Sequence, residues 1–172
     1  MARYNTIMPN DVVNGRGVCV SFWVQGCARH CPKCFNESTW DFKGGTEYTD
    51  HTKWEVIEAI SANGIQRNFS VLGGEPLDPH NINMVNEVVS AVRHAYPDVE
   101  IILWTSFELE ELLMDYNKTM ESILDNINYV VTGPYVDEQR DLSLFWRGSR
   151  NQHIYTKKND KWVLAEDEID GN

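Results

Sequence analysis

The sequence predicts an α/β fold built on a parallel sheet that stays open. Three observations carry this. Short apolar segments near 18–24, 68–74, 99–105 and 127–131 alternate with helix-patterned ones, the order that defines α/β folds. Segments such as "VEIILWT" are apolar on both faces, as strands covered by helices on each side are. The units number four or five, too few for a closed eight-stranded barrel. The expected architecture is a partial, open parallel β/α barrel, with an irregular C-terminal segment and a hairpin after it.

The elements follow in order. "VCVSFWV" (18–24) reads as a buried strand. A loop of about 26–48 comes next, and loops of that length tend to be functional. "TDHTKWEVIEAISANG" is a helix. Thr49 or Asp50 can cap it, Trp54, Ile57 and Ile60 share a face, and Gly64 can end it. "NFSVLGG" (68–74) is a strand entering a glycine turn. "PHNINMVNEVVSAVRHAYP" is a helix with Ile82, Val85, Val89 and Val92 on one side, stopped by Pro97. A third strand spans 99–105. Ser106 is a candidate cap for the helical "FELEELLMDY", and a short helix at 118–126 leads into "INYVV". Beyond residue 132 the pattern turns irregular. "HIYTKKNDKWVL" then reads as a hairpin turning at Asn159 and Asp160. Residues 1–165 are expected to form one domain, and 166–172 a disordered acidic tail.

Bulk properties exclude several classes. The chain has 172 residues, 42% hydrophobic, and a net charge of −11. Nucleic acid and anionic membranes call for a basic face, so neither is an expected partner. No apolar run has transmembrane length. "MARYNTIMPN" lacks a signal-peptide core, so the cytoplasm is the expected compartment. Of four cysteines, Cys19 sits in a strand pattern and reads as a small buried hydrophobe.

The other three form "CARHCPKC": Cys27, Cys31 and Cys34 in C-x3-C-x2-C spacing. Thiolates select zinc or iron–sulfur clusters. Structural zinc wants a fourth protein ligand. His30 and His51 are nearby, but His30 adjoins Cys31, and neighbours rarely converge on one tetrahedral centre. A [4Fe–4S] cluster with three cysteines leaves one iron open, so spacing favours iron–sulfur with zinc as the alternative. "LGGEP" adds Gly73 and Gly74, where backbone can approach a ligand, and the Glu75 carboxylate. In α/β sheets ligands sit at the carboxyl ends of strands. The cysteine loop, "GGEP" and "WTS" all fall there.

Cysteine motif and "GGEP" together resemble the radical S-adenosylmethionine (AdoMet) superfamily. "DVVNGRGVCVSFWVQGC", "CFNESTW", "LWTSF" and "WRGSRNQ" narrow the resemblance to glycyl-radical activating enzymes, in particular the activating proteins of anaerobic ribonucleoside-triphosphate reductase. The likeness spans roughly residues 5–156. It implies a barrel of the radical AdoMet type and a cluster bound by Cys27, Cys31 and Cys34, whose fourth iron takes AdoMet. It places Lys33, Cys34 and Phe35 beside the cofactor, with Gly73, Gly74 and Glu75 lining the methionine amino group and Thr105 and Ser106 approaching from the third strand. It implies reductive cleavage of AdoMet to a 5′-deoxyadenosyl radical, which takes hydrogen from a glycine of the reductase. The cofactor carries this chemistry, so no acid–base pair is expected and Asp78, His80 and Glu108 are left out of it. An electron donor such as reduced flavodoxin is expected, and since both proteins would be acidic it would need a local basic patch.

The alternatives are an activator of the pyruvate formate-lyase type, whose relatives are usually longer, and a zinc-binding structural module. Three departures from the family pattern stand out. Arg16 replaces a common proline, which predicts a less rigid turn. Thr132 replaces a common strand-end aspartate, and "GGEP" stands for GGDP in some relatives. Arg147 and Arg150 carry two readings: salt bridges that fix the C-terminal hairpin, or contact with the reductase.

Overall fold

The computed structural model describes residues 1–114 and 117–170. Eight strands form one sheet that is not closed, in the order β3-β1-β2-β4-β5-β6-β7-β8. The strands are β1 (Arg3–Asp11), β2 (Cys19–Gln25), β3 (Thr46–Glu47), β4 (Asn68–Gly73), β5 (Ile101–Trp104), β6 (Tyr129–Thr132), β7 (His153–Lys158) and β8 (Lys161–Leu164). The helices are α1 (Asp50–Ile60), α2 (Ile82–Ala95), α3 (Leu109–Met114), α4 (Lys118–Asn126) and α5 (Glu166–Asp170). No helix among the described residues is long and apolar enough to cross a membrane.

The sheet has a parallel centre, β2-β4-β5-β6, as the alternating pattern predicts. Antiparallel strands flank it: β1 and β3 on one side, β7 and β8 on the other. Strand β1 escapes the sequence reading for a physical reason. "RYNTIMPND" has no clean alternation, and its pairing with β2 shifts register twice, the second time across Pro9.

One face of the sheet receives α5, and the other carries helices α1–α4. Val20, Phe22 and Val24 of β2, Phe69 and Val71 of β4, and Ile101 and Leu103 of β5 pack there against Val56, Ile60 and the valines of α2. The alternation places Ile82, Val85, Val89 and Val92 inside as expected. Helix α1 is capped by Thr49 in a reciprocal box with Thr52. Its buried face, however, is Thr52, Val56 and Ile60, and Trp54 points out at 58% exposure. The hairpin turn has Asn159 and Asp160 both at positive φ, 51° and 60°, which a two-residue primed turn requires. Residues 115 and 116, the end of the helical "FELEELLMDY", lie outside the described residues. So do 171 and 172 of the expected tail. Residues 166–170 form α5 instead of a frayed end, because Ala165 and Ile169 are buried.

The opposite face holds Cys19, fully buried as expected, with Ser70 and the loop at 12–17. Ser70 Oγ donates to the Asn14 carbonyl at 2.5 Å, and the Cys19 thiol faces the Arg16 carbonyl at 3.6 Å. Asp11 organises this loop. Its carboxylate accepts from the Val13 and Asn14 amides (2.8 and 3.1 Å), Asn14 Nδ2 (2.8 Å) and Ser21 Oγ (2.7 Å). Arg16, where the resemblance implies proline, reaches Glu100 at 3.2 Å and lies 5.4 Å over the Tyr129 ring. Side-chain anchors thus hold a turn that lacks the proline.

Burial pushes the Asp11 carboxyl up, yet its four hydrogen bonds outweigh this and hold it below the ordinary value of 3.8. A depressed carboxyl stabilises the fold above its unfolded value and loses that contribution as pH falls through the folded one. Asp11→Ala is expected to cost about 2–4 kcal/mol at neutral pH, from loss of several charge-assisted hydrogen bonds. In urea titrations the gap to wild type should narrow below about pH 4, where the wild-type carboxyl protonates. A gap that stays constant down to acid pH would refute this account.

A three-thiol cavity at the carboxyl ends of the parallel strands

The loop after β2, the turn after β4 and the end of β5 meet around one cavity of about 460 Å³. Cys27, Cys31 and Cys34 line it, with Phe35, Gly73, Gly74, Glu75, Thr105 and Ser106. Every predicted cofactor neighbour is on that wall except Lys33. Its backbone is left-handed (φ 57°), and its ammonium points outward to Asp137 at 2.6 Å.

Two short segments are stitched together to build the site. The Gly74 amide donates to Val24 O and the Glu75 amide to Gly26 O, each at 2.9 Å. The Gly26 carbonyl also accepts from Asn81 Nδ2 at 3.1 Å. This contact explains the glycine pair. A Cβ on Gly74 would stand 2.4 Å from Gly26 O, and Gly73 has φ 108° with Val24 backbone 2.7 Å from its own would-be Cβ. The glycines therefore serve a close approach of two strand ends, as well as leaving backbone exposed to the cavity. Asn81, at 1% exposure, closes this seam. One asparagine in a loop leaves no signal in a single sequence.

All four cysteines are free thiols. Burial pushes the thiols of Cys27 and Cys31 up, and nearby backbone amides partly oppose it: those of Arg29 and His30 at Cys27, and that of Tyr135 at Cys31. The Cys34 sulfur accepts from the Asn36 amide at 3.3 Å. Amides aimed at sulfur favour the thiolate form that a metal needs, and loading displaces protons. His30 does not join this donor set. It has φ 48° and stacks on Trp40 with ring centres 4.6 Å apart. Among the described residues no three His, Cys, Asp or Glu side chains converge on a position for a single ion. A cubane gives each thiolate its own iron, and the cavity wall presents three thiols. The donor set fits the cluster.

Glu75 is the other organising group. It is 2% exposed, and its Oε1 accepts from the Leu77 amide (3.0 Å) and Thr105 Oγ1 (2.7 Å). Its Oε2 accepts from the Ser106 amide (2.7 Å) and Ser106 Oγ (2.5 Å). Burial pushes this carboxyl up, and the Ser106 and Thr105 bonds pull it back in part. The Ser106 hydroxyl thus holds Glu75 and does not cap α3. Asp78, set aside from catalysis, accepts from the His80 amide at 2.9 Å in its own turn.

Aromatic side chains form much of the remaining wall. Trp23, Trp40, Trp104, Tyr135 and Trp146 line it, and sequence reading gave none of them a place by the cofactor. Phe35 is 56% exposed, 4.9 Å from the Tyr135 ring and 5.3 Å below the Arg140 guanidinium. This position suits a ligand neighbour better than core packing. Arg147 lines the cavity but is buried, paired with Glu166 and Asp170. Its place supports the salt-bridge reading over direct contact with a reductase. Arg150 faces Asp141 at 3.8 Å.

An open parallel α/β sheet that presents three thiols and a glycine turn at its strand ends defines an iron–sulfur domain. A family profile described as "4Fe-4S single cluster domain" matches residues 13–155. The chain belongs to the family of anaerobic ribonucleoside-triphosphate reductase-activating proteins. It is 35% identical to the protein of that name from Escherichia coli (strain K12) over 153 residues, 88% of this chain and 97% of the relative. It is 37% identical to that of Vibrio cholerae, over 88% and 96% of the two chains. With that of Enterobacteria phage T4 it shares 33% identity over 92% and 97%.

Proposed function

We propose that this chain activates an anaerobic ribonucleoside-triphosphate reductase by generating a glycyl radical on it, with AdoMet as co-substrate. The observation that carries the reading is the convergence of Cys27, Cys31 and Cys34 with the Gly73–Gly74 turn on one cavity. Residues 1–165 act as one domain in this reading. When bound, the cluster and the sulfonium of AdoMet supply a one-electron reductive cleavage of a carbon–sulfur bond, strong enough to take a hydrogen atom from glycine.

The chain's residues do the rest. The thiolates of Cys27, Cys31 and Cys34 would hold the cluster, and its iron without a cysteine would be open to AdoMet. The Gly74 backbone and the Glu75–Ser106 clasp shape the place for the amino acid end. Phe35 and the tryptophans offer flat apolar surface and exclude water from a reactive site. The mouth is bordered by exposed apolar side chains: Val13 at 74%, Leu142 at 70% and Phe35 at 56%. An apolar rim on a chain of net charge −11 suits a protein segment better than a small solute. Electrons come from an acidic donor such as reduced flavodoxin, and Arg29, 4.8 Å over Phe107 at the cavity edge, gives the site a local cation.

The test is anaerobic. Iron and sulfide are restored, then AdoMet, reductant and reductase are added. The expected result is methionine, 5′-deoxyadenosine and a glycyl radical doublet in electron paramagnetic resonance. A fully loaded protein that leaves AdoMet intact would overturn the reading.

A further inference from the structure

Helix α5 lies beyond the segment matched by the family profile, which ends at residue 155. Ala165 and Ile169 seat it on Ile102, Tyr129, Val131 and Ile154. Three of its four carboxylates are engaged with the body of the protein. Glu166 meets Arg147 at 3.4 Å, and Asp170 pairs with the same guanidinium. Glu166 also meets His153 Nδ1 at 2.7 Å. Glu168 accepts from Tyr129 Oη at 2.7 Å, under the ring face that carries Arg16.

Arg147 lines the cavity, and Arg16 lies in the loop whose Val13 and Asn14 line it. Arg147 follows Leu142, Leu144 and Trp146, which line it too. Segment 141–148 is tied by the Asp141 amide to Gly148 O at 3.1 Å, Trp104 Nε1 to Trp146 O at 2.6 Å, the Gly148 amide to Gln152 Oε1 at 2.8 Å and the Asp141–Arg150 pair at 3.8 Å, most of them near its two ends. The Arg147 side chain is only 4% exposed, so its charge depends on the two α5 carboxylates. Without those carboxylates the buried guanidinium is left uncompensated, a cost that exposing the side chain would relieve.

We propose that α5 is a positioning latch: through Arg147, Glu166 and Asp170 hold the apolar rim at 142–145 in place at the cavity mouth and so set how readily the reductase's glycine-bearing segment engages. The proposal rests on the functional reading above. Glu166 and Asp170 do not line the cavity; they are positioning residues.

The test uses the reconstituted holoprotein and the variant Glu166→Gln with Asp170→Asn, which keeps shape and removes charge. Hydrogen exchange by mass spectrometry should show residues 141–148 exchanging at least about tenfold faster, with β4 and β5 unchanged, because local opening is separable from global unfolding. The half-saturating reductase concentration should rise about tenfold, while AdoMet cleavage without reductase stays within about twofold, the pattern of lost binding without lost chemistry. Unchanged exchange at 141–148 would overturn the latch. So would exchange rising equally across the sheet with half-saturation unmoved, which marks a merely structural helix. If wild-type protein makes no glycyl radical on a reductase, the functional reading fails, and the exchange result alone decides the latch.

Discussion

Cys31→Ala is expected to abolish activation. The three thiols are not equivalent in setting. Cys27 is buried at the seam with the glycine turn, while Cys31 and Cys34 sit further out, joined by a turn in which the Cys34 amide donates to Cys31 O at 3.1 Å. None has a substitute: His30 is stacked on Trp40, and Cys19 lies on the covered face of the sheet, its thiol pushed up to about 11 by burial. If the three thiolates hold the cluster as proposed, with one iron open, the variant would leave only two to do so. Outer-shell changes cost about 10–100-fold in metal affinity or activity, so loss of a ligand should exceed about 100-fold. Iron per chain should fall from about four to below about one, and the glycyl radical should vanish. Cys19→Ala is the control and should load iron normally. A Cys31→Ala protein that loads fully and still cleaves AdoMet would defeat the three-ligand assignment.

Much of this arrangement is legible in the sequence because it is local. The parallel strands announce themselves by continuous apolar runs, α2 by its valine spacing, and the hairpin by Asn159-Asp160. The cysteine loop, glycine turn and strand end meet because parallel strands put all their carboxyl ends on one side. What is hidden depends on long-range partners. Strand β1 is specified by its neighbours β2 and β3 rather than by its own pattern. Trp54 fits the helical period yet faces outward, since burial depends on what lies opposite. The acidic C-terminus reads as a solvated tail because charge patterns report composition; nothing in "EDEID" reveals that Arg147 and Tyr129 wait for it. Asn81 and the tryptophan wall are isolated residues, distinguished only by the backbone they reach.

The Glu75 clasp yields the second large effect, and the comparison of two substitutions makes it sharp. Each carboxylate oxygen accepts from an obligatory backbone donor: Oε1 from the Leu77 amide, Oε2 from the Ser106 amide. Glutamine offers one acceptor oxygen and one donor nitrogen. Whichever way the amide is turned, its NH2 confronts one of those two N–H groups in a buried site. Glu75→Gln, nearly isosteric, should therefore cost about 2–3 kcal/mol, a fall of roughly 4–12 °C in thermal midpoint for a chain of this size. Glu75→Asp keeps two acceptors and shortens the reach by one methylene. It should cost less. Function should follow the same order. Ser106 and Thr105 are positioned by Glu75, so the Gln variant should retain iron yet bind AdoMet about 10–100-fold more weakly, the scale of a lost supporting contact. Calorimetry on the apoprotein and equilibrium AdoMet binding on the loaded protein separate the two effects. If Gln proves milder than Asp in both, the carboxylate is not the clasp that its four hydrogen bonds describe.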